Sequence, residues 1–127
     1  MSYGPVSVIS VGTADMSPPG SPSISAMQIS NKEIEAKIVI PTLDADGSPV
    51  SGLSGLVVGI APELDGGGNP FENVAGADIK SVAEASNGAA QEKELVDADA
   101  GTELVALLPI AVAGKTYWIA AAVKDNS

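Results

Sequence analysis

Glu33-Ile34-Glu35-Ala36-Lys37-Ile38-Val39-Ile40 is the stretch that decides the fold. Charged residues alternate with Ile34, Ala36, Ile38 and Ile40, so a strand places those four on one face and the charges on the other. A helix would scatter the same four residues around its circumference. Pro41 ends the run because it has no amide hydrogen to donate.

Working outward, Leu56-Val57-Val58-Gly59-Ile60 is apolar on both faces, as expected of an inner strand, and Pro62 stops it. Glu103 to Leu108 and Thr116 to Val123 read as further strands. In the latter, Tyr117, Ile119, Ala121 and Val123 share a face and Trp118 points the other way. Toward the N-terminus, Ile24, Met27 and Ile29 mark a weak edge strand, and Val6-Ser-Val-Ile-Ser-Val11 is a short β-branched run. Between them, Thr13 to Pro22 carries Pro18, Pro19, Gly20 and Pro22 and reads as an extended linker. Residues 63–76, with Gly66-Gly67-Gly68-Asn69-Pro70, predict an exposed, mobile loop. Residues 78–96 admit two readings. Ile79, Val82 and Ala83 fit a helical face, whereas Asn87-Gly88 favours a hairpin turn; the β character of the rest favours the hairpin.

The composition narrows the possible functions. A chain of 127 residues is about one domain, long enough to bury a core without staples. It contains no cysteine, hence no disulfide or thiolate site, and no histidine, which removes the commonest general base and the commonest zinc ligand. With 6 Lys and Arg against 16 Asp and Glu, the formal charge of -10 disfavours nucleic acid and anionic membrane surfaces as partners. Met1-Ser-Tyr-Gly-Pro lacks the basic region and apolar run of a secretory signal. Leu104 to Gly114 is too short to span a bilayer and is interrupted by Pro109.

The order of particular residues carries a family resemblance. Ile38 to Ile60, through Pro41, Asp46-Gly47-Ser48-Pro49 and Gly55-Leu56-Val57-Val58, resembles a fibronectin type III domain between its strands B and C. Leu107-Leu108-Pro109, then Gly114-Lys115-Thr116-Tyr117 and the run to Val123, look like the end of strand E, the corner and strand F. The resemblance implies an all-β, fibronectin type III-like (immunoglobulin-like) β-sandwich over residues 23–127, preceded by an N-terminal arm over 1–22. It implies that Tyr117 takes the place of the corner tyrosine that bonds back to the backbone. Two departures stand out. Ile38 or Ile40 replaces the usual strand B tryptophan, and Leu56 replaces the aromatic that opens strand C. The sequence also stops at Ser127, just after the strand F counterpart, with nothing left to form strand G. Val6–Val11 is expected to fill that edge, in its own chain or in a neighbour by strand addition; the alternative is a disordered N-terminal arm beside a naturally short sheet.

Motifs with the residue types for chemistry are sparse. Asp44-Ala45-Asp46-Gly47 opens like a calcium loop, but Gly55 stands where the closing glutamate belongs, so a turn is expected. Asp97-Ala98-Asp99 is equally unspecific. Glu63, Asp65 and Glu72 lie in the glycine loop, a poor platform for paired carboxylates. Serines have no histidine to activate them, and Gly66-Gly67-Gly68 lacks the lysine and helix of a phosphate loop. No catalytic residue, metal or cofactor is therefore expected.

The residues expected to touch partners are Val6, Val8, Ile9 and Val11 on the N-terminal strand, and Trp118. The indole is either an exposed contact anchor or a residue covered by loop 63–77 or by the arm. The function expected is that of a non-enzymatic bacteriophage virion protein, a capsid decoration or tail subunit that contacts other virion proteins and copies of itself. Cell-surface glycans are a further candidate partner. The alternative is a carbohydrate- or protein-binding accessory sandwich module.

Overall fold

The computed structural model describes residues 2–11, 22–43 and 49–125. Its strands are β1 (Ser2–Tyr3), β2 (Ser7–Val11), β3 (Ser23–Ser30), β4 (Glu33–Val39), β5 (Leu53–Pro62), β6 (Ala89–Glu94), β7 (Glu103–Pro109) and β8 (Tyr117–Asp125), with one α-helix, α1 (Ile79–Ala85). Among the described residues these strands form two antiparallel sheets packed as a sandwich. One has the order β3-β4-β7. In the other β8 pairs with β5, β5 with β6, and both β1 and β2 lie along the free side of β8.

The alternation that predicts β4 is realised directly. Ile34, Ala36 and Ile38 face inward, each opposite an inward residue of β7 (Leu108, Ala106 and Leu104). The opposing layer is Leu56, Val58 and Ile60 from β5 and Tyr117, Ile119, Ala121 and Val123 from β8. Burying each Leu, Ile or Val contributes about 1.5–3 kcal/mol, so this aliphatic layer holds the sheets together without the tryptophan that the sequence lacks at β4. Where β6 meets β7, the Gln91 side-chain amide donates to the Leu107 carbonyl at 2.6 Å, bridging the two sheets at their edges.

β2 lies in its own chain's sheet, antiparallel to β8, with Ile9 opposite Ile119 and Val11 opposite Tyr117. Ile9 enters the main core. The buried Ser7 hydroxyl donates to the Pro22 carbonyl at 2.6 Å and ties the start of β2 to the start of β3. Beyond it β1 continues along β8, with Ser2 opposite Asp125. The two ends of the described chain are therefore neighbours on one strand pair. The Thr13–Ser21 part of the expected linker and the Asp44–Ser48 loop lie outside the described residues.

Two segments differ from the sequence reading. Residues 78–96 form no hairpin: Ile79–Ala85 is helical, and β6 follows after a short turn. Asn87, at φ 62°, reverses the chain at the helix end, and the Gly88 amide donates to Ala83 O at 2.8 Å. Asparagine tolerates this left-handed backbone, so the pair that signals a hairpin here terminates a helix instead. The backbone of Gly88 lies against Ile60 O so closely that a β-carbon would collide with it. The second difference lies within residues 63–76, where the turn at 64–67 is exposed as expected but the part that follows is anchored on the sheet. Phe71 is buried, and the Leu64 and Gly68 backbones bridge each other to close the glycine turn.

Candidate functional site

The outer face of the five-stranded sheet carries a second apolar layer. Val57 and Ala61 of β5, Ala120 and Ala122 of β8, Phe71, and Ile79 and Ala83 of α1 are all buried in it. Small residues on the sheet let the helix approach. At Gly59 an added β-carbon would lie 2.7 Å from Ile79 Cγ2. The helix is thus a lid docked on a sheet face that would otherwise be bare.

Most of the sequence-predicted contact residues belong to this layer. Val6 and Val8 are half-buried and pack against it, as does Trp118. The indole Nε1–H donates to Glu63 Oε2 at 3.3 Å, so the glycine loop supplies the polar partner that a half-buried tryptophan requires. Trp118 is thus neither fully exposed nor fully covered. Ile9 is directed into the main core, and Val11 is described by its backbone pairing alone. The five residues are brought together on the adjacent strands β2 and β8 and the turn leading into β2. The described side chains among them serve packing more than exposure.

Beyond the edge of this layer the same sheet bears an open cleft of about 370 Å³. Gly55 forms its floor, with Tyr3 and Lys124 on one side and Glu92 and Glu94 on the other. The Lys124 ammonium lies 5.8 Å from the Tyr3 ring centroid, near the outer limit of a cation–π contact. The aromatic face is therefore partly occupied by the chain's own lysine.

Of the acidic motifs, Asp97-Ala98-Asp99 has a local structural role. Asp97 Oδ1 accepts from the Leu53 amide at 2.9 Å, and Asp99 Oδ2 accepts from the Val96 amide at 2.8 Å. Among the described residues no group of three or more Asp or Glu side chains could hold a metal ion. Likewise, among these residues no helix is long and apolar enough to cross a membrane.

The outer face of the three-stranded sheet is the surface that sequence reasoning missed. Met27 and Ile29 of β3 and Val105 and Leu107 of β7 are large, apolar and exposed, flanking the charged column Glu33, Glu35 and Lys37 of β4. One signal could have found it. Leu104-Val105-Ala106-Leu107-Leu108 is apolar at consecutive positions, and a strand of that kind has two faces to cover.

No protein-family model, no curated protein and no solved structure matches the chain.

Proposed function

We propose that the chain is a fibronectin type III-like sandwich with a shifted strand order, acting as a non-enzymatic structural subunit of a bacteriophage particle through protein–protein contacts. The observation that carries the fold assignment is the position of β2. Taken as the family's last strand, it turns the two sheet orders into the family's A-B-E and G-F-C-C′ arrangements. The Tyr117 hydroxyl, bonded back to the backbone of Val112, supports the same assignment. So does the pairing of Ser2 with Asp125, since in the unshifted order a short F–G turn would join those ends.

For the role, support comes from the uncovered sheet face with its large apolar side chains and from the acidic character of the chain. Sandwiches of this kind recur as decoration, tail and fibre modules in phages, and the assignment to a particle is an analogy of that kind. Density-gradient fractionation of lysates from cells that make the protein tests it. Recovery of the chain in the particle fraction, located by immunogold labelling, is the expected result. Recovery solely as free protein while particles band elsewhere would overturn it.

A further inference from the structure

The chain supplies a cover for one sheet and, among its described residues, none for the other. α1 and Phe71 close the five-stranded face. On the three-stranded face Met27 is 60% exposed, Val105 55%, Leu107 47% and Ile29 44%. What meets that face can be argued from its charges. The registers put Glu35 between Met27 and Leu107 in one cross-strand row, and Lys37 between Ser25 and Val105 in the next. All six point outward, opposite in sense to the buried Ala36 between the rows.

We infer that this face binds a second copy of itself across a two-fold axis that lies in the interface, perpendicular to the strands and between the Glu35 and Lys37 rows. Such an axis brings each row onto the other row of the partner. Glu35 then faces Lys37 of the second copy and Lys37 faces its Glu35, while Leu107 meets Val105 and Met27 meets Ser25. The two central rows are thus their own electrostatic complement, as an isologous contact requires, while at the ends of β4 Glu33 meets Val39. Sheets packed face to face lie about 10 Å apart, a gap that a glutamate and a lysine reaching toward each other can span. The charged pairs sit beside the axis, where the relative twist of the two sheets displaces them least. Opposing this, each copy carries a charge of -10, so the copies repel at long range and the contact is concentration dependent.

The inference rests on the sheet surface alone and is independent of the particle assignment, because purified full-length chain suffices to test it. Sedimentation velocity over a concentration series, on wild type and on Glu35→Lys, Lys37→Glu and the double exchange, provides the test, with circular dichroism checking that these outward-facing changes leave the fold intact. Wild type is expected to dimerise. Either single change should weaken the dimer about tenfold or more by setting like charges against each other. The double exchange should restore it, and so should mixing the two single variants, since one then presents two lysines to the other's two glutamates. A wild type that stays monomeric up to about 1 mM overturns the inference. So do single variants that associate as well as wild type, or a double exchange and a mixture that fail to recover.

Discussion

The Tyr117 hydroxyl donates a hydrogen bond to Val112 O at 2.9 Å and accepts one from Val112 N at 3.1 Å, so one side-chain oxygen satisfies both backbone groups of a residue five positions upstream. The ring itself is buried in the main core at the start of β8. The side chain thereby fixes the path of the loop that leads from β7 into β8. Tyr117→Phe keeps the ring and removes both bonds. Equilibrium urea unfolding should show a loss of about 1–2 kcal/mol, with the m-value unchanged.

β2 completes the sheet from the N-terminal end, and its removal should be felt throughout the domain. Deleting residues 1–12 strips Ile9 from the core and exposes the unpaired edge of β8. The truncated chain should melt at a clearly lower temperature and form higher oligomers in size-exclusion chromatography. The milder Ile9→Ala should cost about 2–4 kcal/mol through the cavity that it leaves. An unchanged melting temperature in the truncation would refute a structural role for the strand.

Because Ser2 pairs with Asp125, the chain can be rewired. Joining the two termini with a short glycine linker and opening the backbone within residues 12–21 would restore an uninterrupted β8–β2 hairpin. The permuted protein should fold with the same far-ultraviolet circular dichroism. Its stability should fall within about 1–2 kcal/mol of the parent, since the termini already lie together and only loop-closure entropy changes.

Gly59 and Gly88 both lack room for a side chain, but what stands in the way differs. At Gly59 the obstacle is Ile79 Cγ2, 2.7 Å from an added β-carbon, on a helix that can shift. At Gly88 it is the carbonyl oxygen of Ile60, a ladder residue of β5. Gly59→Ala should cost about 1–3 kcal/mol, as overpacking does. Gly88→Ala should cost more. A denaturation series in which the order is reversed would contradict the close approach at Gly88.

Trp118 is the sole tryptophan, which makes the docking of α1 directly observable. It packs against the layer that Phe71 and Ile79 close, with its indole nitrogen on Glu63. Phe71→Ala should cost about 3–5 kcal/mol and shift the tryptophan emission to longer wavelength as water reaches the ring. Glu63→Gln retains an acceptor and should leave the emission nearly unchanged.

Local patterning made much of the sandwich legible in the sequence. The alternation of Ile34, Ala36 and Ile38 with charges, and of Tyr117, Ile119, Ala121 and Val123 with Trp118, sorts side chains between faces. That sorting needs nothing beyond the two-residue repeat of a strand. The same logic marked β5 as an inner strand from its apolar run, and it lies between β6 and β8. The residues from Ile79 to Gly88 were not decided in this way. Their apolar spacing suits a helix and their Asn-Gly pair suits a hairpin, and both signals are local. The face of β5 decided between them, since Gly59 leaves a hollow that Ile79 and Ala83 of a helix fill.

By itself, then, the sequence determined the strands that form the main core, which side of each is apolar, and that no cysteine or histidine chemistry is available. Tertiary structure alone decided that β2 lies beside β8, that Phe71 and α1 cover one sheet, and that Met27, Ile29, Val105 and Leu107 are left in the open. The physical reason is one of range. An alternating pattern acts between neighbours in the chain, whereas pairing Ser7 with Ala121, or laying Ile79 over Gly59, joins residues that only the closed fold brings together. Whether an apolar face is covered depends on what the rest of the chain has left to lay over it.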